Sequence, residues 1–408
     1  MKTNRVLAVL GIVAVLVVTA MLVGCGGHQM LLFVADGNNN RVLVYDAPFV
    51  TGQSAAAVLG QLAVNTAAAP NPPTAASMAR PNVMVDTSGT LYVTDGNNCR
   101  VLQFIPPFAT GMNATLAIGQ PAGVGNLISN TCLQGAAATA SGLDIPAGMA
   151  FDSAGNLWVA DIGNSRVLKY PAPLTAGEAA TVVLGQTTLT GAGTCNQGNA
   201  APSATTLCEP TVIAFDSAGN LWVVDAGNNR VLMYSPANLV TGGAATAELG
   251  QPAATAFTTG TANNGGVSAT SLSDPQSLAF DPQGNLWLTD FNNNRVLMYA
   301  KVDLMVNGAP ATLEFGQPIA TAFTSATANN GGIGPSTLSG PVGLAFDRGG
   351  SAYVTEGGNN RTLVFVPPFS NGMNATLVIG QPDFTHNTAN NGGESAATQS
   401  DPLGTAVF

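Results

Sequence analysis

Residues 148–170 read GMAFDSAGNLWVADIGNSRVLKY, and this stretch decides the fold because variants of it recur along the chain. Its second half occurs six times, each time with an acid followed five residues later by an arginine. The six pairs are Asp36 and Arg41, Asp95 and Arg100, Asp161 and Arg166, Asp225 and Arg230, Asp290 and Arg295, and Glu356 and Arg361. Such a regular period predicts a repeat architecture.

Each repeat is predicted to be a four-stranded antiparallel meander. The apolar run ending in Asp152 and the run that follows it are joined by DSAGN, which suits a tight hairpin. A third strand follows the GNS turn, and the run TVVLGQ at 181–186 supplies a fourth. Because four-stranded sheets arranged radially protect their edges, the six copies predict an all-β, six-bladed propeller.

The two ends of the repeat region complement each other. The first copy, which begins near residue 31, lacks a first strand, whereas the chain ends in DPLGTAVF, a first strand with nothing after it. We therefore expect residues 404–408 to complete the blade begun by residues 31–60. This join closes the ring and predicts a single domain over residues 31–408, because an open array would expose bare strand edges.

The repeated unit, of the form PxGxAFDxxGNLWVxDxGNNRVLxY, resembles the NHL repeat over about residues 31–408. The resemblance implies the propeller fold. It does not imply one function, since NHL propellers include protein-binding and RNA-binding modules, sensor domains of kinases and one type of amidating lyase. Those lyases bind their metal through histidines, and this chain has only His28 and His386, so we do not expect that activity.

The first 24 residues have the layout of a secretory signal: Lys2 and Arg5, then an apolar run, then Gly24 before Cys25. The sequence LVGC at 22–25 resembles the lipobox of bacterial lipoproteins. We therefore predict a signal peptide at 1–24, lipidation of Cys25 and a short tether at 25–30. The alternative is an uncleaved membrane anchor. Both place the propeller outside the cytoplasm, on the outer membrane or cell surface in the lipoprotein case.

The charge composition of the chain limits the kinds of partner that it can bind. The net charge is −10 and only 8% of residues are charged. Because phosphate backbones repel an acidic protein, we expect no nucleic-acid partner.

Four cysteines besides Cys25 suit an oxidising compartment. Cys99 lies in the turn after a second strand and Cys132 in the loop leaving the same blade, while Cys195 and Cys208 share one loop. We prefer disulfides between Cys99 and Cys132 and between Cys195 and Cys208 over the two crossed pairings. The alternative reading is a thiol nucleophile or a zinc site.

The six motif arginines are expected to have a structural role. Each most simply pairs with the motif acid of its own or a neighbouring blade. The competing interpretation is calcium, since DGNNN at 36–40 spaces oxygen ligands like the start of an EF-hand loop, but it lacks the central glycine and the closing glutamate. No cofactor is predicted.

A sharper candidate site lies at the start of the inner strands. Just before the prolines that open them stand Asp144, Glu209, Asp274 and Asp401, with Arg80 and Gly340 at the remaining two places. These residues are expected to ring the mouth of the central channel, where four carboxylates could hold a metal ion or a cationic ligand. The competing interpretation is ordinary turn chemistry.

Long loops connect the fourth strand of each blade to the next blade. We call their side of the ring, which also carries the turns between second and third strands, the top face; the opposite side is the bottom face. Loops this long are usually functional or mobile. We expect a non-catalytic propeller that binds a protein or glycan through these loops, with the bottom face towards the membrane. The alternative is a histidine-independent lyase or hydrolase at the channel mouth.

Overall fold

The computed structural model of the chain describes residues 30–120, 126–133, 138–191 and 193–408. The predicted signal peptide, Cys25 and the tether up to residue 29 lie outside the described residues. Within the described ranges, twenty-four strands form six four-stranded antiparallel sheets. The chain is an all-β, six-bladed propeller, as the repeats predict.

Blade 1 joins the two ends of the propeller. Its sheet has the order β24 (Pro402–Val407), β1 (Leu31–Asp36), β2 (Arg41–Asp46) and β3 (Ala57–Leu59). The pairing of β24 with β1 is the predicted closure, although the strand begins at Pro402 rather than at residue 404. Beyond it, the backbone of Phe408 exchanges two hydrogen bonds with Leu31, at 3.1 and 3.0 Å, which extends the join by one residue.

Blades 2 to 6 each contain four strands that are consecutive in the chain. Their bounds are, in blade 2, β4 (Pro81–Val85), β5 (Leu91–Asp95), β6 (Arg100–Phe104) and β7 (Leu116–Ile118); in blade 3, β8 (Pro146–Phe151), β9 (Leu157–Asp161), β10 (Arg166–Tyr170) and β11 (Val182–Leu184); in blade 4, β12 (Pro210–Phe215), β13 (Leu221–Asp225), β14 (Arg230–Tyr234) and β15 (Ala247–Leu249); in blade 5, β16 (Pro275–Phe280), β17 (Leu286–Asp290), β18 (Arg295–Tyr299) and β19 (Leu313–Phe315); and in blade 6, β20 (Pro341–Phe346), β21 (Ala352–Glu356), β22 (Arg361–Phe365) and β23 (Leu377–Ile379).

Within the described ranges, helical structure is limited to short 3-10 turns. Those between second and third strands are Gly96–Asn98, Ile162–Asn164, Ala226–Asn228 and Phe291–Asn293, and those in other connections are Asn126–Ile128, Cys195–Gly198, Pro236–Asn238, Ala253–Thr255, Lys301–Asp303 and Ile319–Thr321. Over the ranges that the structure describes, no helix has the length and apolar character needed to cross a bilayer.

The hydrophobic core lies between neighbouring blades. Trp158, on the second strand of blade 3, packs edge-on against Phe215 of blade 4 with ring centroids 6.0 Å apart. Trp222 contacts Phe280 of blade 5 in the same way, at 6.2 Å. Each aromatic pair buries a large apolar area between two sheets, so the repeated Trp and Phe hold adjacent blades together.

The six strands β24, β4, β8, β12, β16 and β20 surround the central axis, each next to the inner strand of the following blade. They run from the top face to the bottom face. β1 runs the other way, so the chain enters the propeller at Met30 from the bottom face. This topology defines two ends of a central channel.

Candidate functional site

The motif arginine of blade 3 lies in a fully buried polar network. Arg166 Nε donates to Asp161 Oδ2 at 2.7 Å. Its two terminal nitrogens donate to three backbone carbonyls: Leu189 at 2.6 Å in the loop leaving the blade, and Thr139 and Gly142 at 3.1 and 2.9 Å in the loop entering it. One guanidinium therefore joins two long loops to the sheet.

The other five arginines also contact the acid of their own blade. The pairs are Arg41 and Asp36, Arg100 and Asp95, and Arg230 and Asp225, all at 2.7 Å, Arg295 and Asp290 at 2.8 Å, and Arg361 and Glu356. The sequence did not decide whether each arginine pairs with the acid of its own blade or with that of a neighbouring blade. In the structure, all six pairs form within one blade.

The motif carboxylates are fully engaged by these contacts. Asp161 Oδ2 accepts from Arg166 and, at 2.9 Å, from Asn164 Nδ2, while Oδ1 accepts the backbone N–H of Asp144 at 2.6 Å. The guanidinium thus occupies the place that a cation would take beside the turn. This arrangement favours the structural role over the calcium site.

The long top-face loops are held by further buried amides. In the loop between β15 and β16, Asn263 and Asn293 exchange two amide hydrogen bonds, at 2.9 and 2.7 Å, across to the turn of the next blade. Gln251 Nε2 donates to the carbonyls of Asn229 and Thr261 at 2.9 and 3.0 Å. Equivalent reciprocal pairs are Asn196 with Asn228, Asn329 with Asn359, and Asn390 with Asn39. These loops are therefore anchored.

Two buried glutamates that sequence reasoning missed strengthen this network in blades 4 and 5. Glu248 accepts from Arg230 at 3.2 Å and from the N–H of Phe257, and Glu314 accepts from Arg295 at 3.3 Å and from the N–H of Phe323 at 2.6 Å. Burial raises the pKa of Glu248 against the effect of these donors. The signal was present: each is an acid inside a short apolar strand, AEL or LEF.

At the top of the channel, one residue per blade has left-handed backbone geometry directly before the proline of the inner strand. These residues are Arg80, Ile145, Glu209, Asp274, Gly340 and Asp401, with φ between 45° and 58°. The backbone N–H groups of Asp274 and Asp401 are held at 2.8 Å by the side-chain oxygens of Asn229 and Asn360 in the preceding blades.

Asp144 does not belong to this ring, and that part of the prediction is wrong. Ile145 takes the left-handed position before Pro146, which turns the Asp144 side chain beneath the turn of its own blade. There the carboxyl is buried with Oδ1 3.7 Å from Cys99 Sγ. Its Oδ2 is buried without a hydrogen-bond partner among the described residues, and burial raises the pKa of Asp144.

The remaining three carboxylates do not form a joint ligand set. Glu209 is exposed, and the half-buried Asp274 accepts a hydrogen bond from Gln276 at 2.5 Å. Burial raises the pKa of Asp274, and the charge of Glu209 adds to the effect. In the part of the chain that the structure describes, three potential metal ligands converge within 4.8 Å only at Cys99, Cys132 and Asp144. The mouth therefore lacks the predicted cluster.

The cysteines form the two preferred disulfides, Cys99 with Cys132 and Cys195 with Cys208. Both lie on the top face. The first couples the turn of blade 2 to its outgoing loop, and the second closes a segment with a sequence separation of 13 within the loop after blade 3. Sulfur atoms joined in this way are not available as thiolate nucleophiles or zinc ligands.

A cavity lies on the bottom-face side of the channel, which the sequence did not reveal. A cavity of about 1130 Å³ is lined by the lower parts of all six inner strands. None of Glu209, Asp274 and Asp401 lines it. Its rim carries half-buried phenylalanines from the AFD motif, at 151, 215, 280 and 346.

Comparison with known proteins agrees with this architecture. The NHL repeat family model matches residues 143–170 and 272–299, the first to third strands of blades 3 and 5. No curated protein matches the chain in sequence.

Three solved structures are similar in fold. A protein of unknown function from Bacteroides caccae has a TM-score of 0.51 at 10% identity, covering 93% of this chain and 99% of its own. A streptogramin B lyase has a TM-score of 0.42 at 13% identity, covering 82% and 75%. A catalytically inactive virginiamycin B lyase from Staphylococcus aureus with quinupristin has a TM-score of 0.41 at 11% identity, covering 84% and 83%. At these identities the likeness concerns the fold alone. The chain is a six-bladed β-propeller that contains NHL repeats.

Proposed function

We propose that this chain is a lipid-anchored, extracytoplasmic propeller that binds a protein or glycan through the loops of its top face without catalysing a reaction. The anchoring of these loops carries the proposal. Buried Arg, Gln and Asn side chains hold their backbone in one conformation. A binding surface that is already ordered loses little conformational entropy on association.

The anchored loops present a repeated surface. The TANNGG segments after blades 4, 5 and 6 each expose a Thr–Ala pair: Thr261 and Ala262, Thr327 and Ala328, and Thr388 and Ala389. The asparagine that follows each pair is fixed by its reciprocal amide bonds. The three pairs are therefore presented in similar local geometry on adjacent blades, as suits an extended partner.

Four features support the location. The two disulfides suit an oxidising compartment. The leader has the layout of a lipoprotein signal, and the chain enters the propeller at Met30 from the bottom face. The bottom-face loops between third and fourth strands also carry exposed aliphatic side chains that could face a membrane: Val50, Ile105, Val240, Val302 and Val366.

The catalytic alternative has less support from the geometry. The channel-mouth carboxylates do not converge. His386, the histidine that the structure describes, is exposed, and its Nδ1 lies 2.8 Å from Asp383 Oδ1 in the same loop. Asp383 Oδ1 also accepts from the backbone N–H and the hydroxyl of Thr385, as in an ordinary loop turn.

The proposal is tested by crosslinking on intact cells. The full chain is compared with a triple variant, Ala262→Arg, Ala328→Arg and Ala389→Arg, which places large charges on the exposed top-face pairs. We expect the wild type to capture a partner that the triple variant loses. The substitutions leave the buried Arg, Gln and Asn hydrogen bonds of the loops intact, so the midpoint temperature of thermal unfolding should change little.

Ala237→Arg is the matched control, because Ala237 is exposed on a bottom-face loop. This variant should retain the partner. Equal capture by the triple variant and the wild type would show that the top-face loops are not the binding surface.

A further inference from the structure

We propose that the disulfide between Cys99 and Cys132 is a reactive site that oxidises a dithiol, and that Asp144 is the catalytic acid and base of the exchange. The inference is independent of the top-face partner and of the leader. It depends on three features of the site: an exposed cysteine that can be attacked, a buried cysteine that leaves, and a carboxyl beside the leaving sulfur.

The two cysteines differ in exposure. Cys132 is exposed on the loop that leaves blade 2, whereas Cys99 is fully buried at the turn between β5 and β6. An incoming thiolate therefore has access to Cys132 rather than to Cys99. Attack in this direction makes Cys99 the leaving group, and a buried thiolate is unfavourable because no water stabilises its charge. The leaving sulfur thus needs a proton.

A carboxyl lies where that proton is needed. Asp144 Oδ1 is 3.7 Å from Cys99 Sγ, close enough for a hydrogen bond to sulfur. Asp144 is only 5% exposed, and its Oδ2 has no hydrogen-bond partner among the residues that the structure describes. Burial raises the pKa of Asp144, which favours the protonated acid. This acid is therefore available to Cys99.

The fold does not require a carboxyl at this position. The backbone N–H of Asp144 donates to the motif acid Asp161, and the other five blades make the same backbone contact with different side chains: Ala79, Cys208, Ser273, Ser339 and Ser400. In blade 3, Gly163 leaves room for the carboxyl, since a Cβ atom there would lie 2.0 Å from Asp144 Oδ2. The acid is thus a feature of this one site.

One buried amide holds the backbone at both cysteines. Gln120 Nε2 donates to the carbonyls of Cys99 and Thr131 at 2.7 and 3.1 Å, and Gln120 Oε1 accepts the backbone N–H of Thr131 at 3.0 Å. Thr131 directly precedes Cys132. Because these contacts do not depend on the S–S bond, they keep the two thiols close after reduction. The disulfide can then form again.

The reaction moves two electrons from the dithiol to the disulfide. One thiolate of the dithiol attacks Cys132 Sγ, the S–S bond breaks, and its electron pair goes to Cys99 Sγ, which takes the proton of Asp144. The second thiolate of the dithiol then attacks the substrate sulfur of the mixed disulfide and releases Cys132. Water returns one proton to Cys132 and one to Asp144. The dithiol leaves as a disulfide, and the protein holds two thiols.

The proposal is tested with the purified full chain and dithiothreitol as the dithiol. Alkylation traps thiols at intervals, and peptide mass spectrometry follows each disulfide separately. We expect the disulfide between Cys99 and Cys132 to be reduced in the folded protein and to form again with oxidised glutathione. Asp144→Asn keeps the shape of the side chain but cannot transfer the proton. It should slow both reactions at least about tenfold, since general acid–base catalysis contributes about 10²–10⁴ in rate.

Two controls isolate the role of the acid. The disulfide between Cys195 and Cys208 has no carboxylate clustered with it among the described residues, so its rates should be the same in wild type and Asp144→Asn. Glu394→Gln removes an equal charge from another top-face loop and should leave the rates of both disulfides unchanged.

Amide exchange separates proton transfer from loop opening. We expect unchanged exchange across residues 126–133 in Asp144→Asn, although reduction is slower. If Asp144→Asn does not fold, Asp144→Ser replaces it with the same expected loss, because three other blades have serine there. Wild-type rates in a folded Asp144 variant, a slower rate matched by equally slower amide exchange, or no reduction of the folded wild type would overturn the proposal.

Discussion

Each motif arginine is a buried charge, and it stabilises the fold only if its N–H groups find hydrogen-bond acceptors. Arg166 is fully buried, yet its guanidinium contacts a carboxylate and three carbonyls. The sequence predicted the ion pair, because acid and arginine flank one turn. It did not predict the carbonyl contacts, since these come from loop residues 23 to 27 positions away, whose backbone path no local pattern specifies.

Replacing this guanidinium should be costly. Arg166→Met leaves Asp161 as a buried unpaired charge and leaves three loop carbonyls without donors, so we expect the free energy of unfolding to fall by about 3–5 kcal/mol. Arg166→Lys should recover only part of the loss, because one ammonium cannot reproduce the planar set of donors. Denaturant titration measures both.

The exposed Arg80→Met is the control for this experiment and should change the free energy of unfolding by less than about 0.5 kcal/mol. If Arg166→Met is as mild as Arg80→Met, the buried network does not stabilise the blade.

Asp144 supplies the opposite case, a buried carboxylate without a compensating cation. Blades 5, 6 and 1 have serine at the equivalent position, Ser273, Ser339 and Ser400, whose backbone N–H also binds the motif acid. We expect Asp144→Ser to raise the free energy of unfolding at pH 7 by about 1 kcal/mol, since an unsatisfied buried polar group costs about that much.

The gain from Asp144→Ser should depend on pH. Because burial raises the pKa of Asp144 above its unfolded value, ionisation destabilises the folded state as pH rises through the folded pKa. The gain should therefore shrink below that pKa and vanish below the unfolded value of about 4. Urea titrations across this range measure it, with the exposed Arg80→Met as control. A gain that is constant with pH would contradict the buried-charge explanation.

Strands and turns were the most predictable elements, because their signals are local. Alternating apolar residues and glycine-bearing turns specify the meander, and all six arginine-bearing strands begin at the motif arginine. The predicted start of β24 was two residues late, because the strand begins at Pro402. The loops looked unconstrained because their anchors, such as Asn293 for Asn263, lie 30 residues away.

One substitution tests whether the amide pairs hold the loops. Asn263 has φ of 48°, so Asn263→Gly keeps the backbone conformation while removing both amide bonds to Asn293. We expect faster amide exchange across residues 253–274 and a loss of about 1–2 kcal/mol in the free energy of unfolding. The exposed Thr261→Ala, in the same loop, should leave the exchange pattern unchanged. Unchanged protection in Asn263→Gly would mean that the loop is held by other contacts.

The whole ring could be predicted because blade number follows from counting repeats and closure follows from the complementary ends. The cavity could not, because the width of a channel depends on how six inner strands approach one another. The channel-mouth prediction failed in part for a different reason, because the sequence itself has Asp144 two residues before Pro146 rather than directly before it. A one-residue offset in blade 3 places Ile145 at the mouth and buries Asp144.

The orientation of the ring is the most direct test of the proposed function. Single cysteines are introduced at Ala262, on a top-face loop, and at Ala237, on a bottom-face loop, both of them exposed positions. Intact cells are then treated with a membrane-impermeant biotin maleimide. We predict that Ala262→Cys is labelled on intact cells and that Ala237→Cys is labelled only after lysis. Labelling of Ala237→Cys alone, equal labelling of both, or labelling of neither before lysis would contradict an outward-facing top surface.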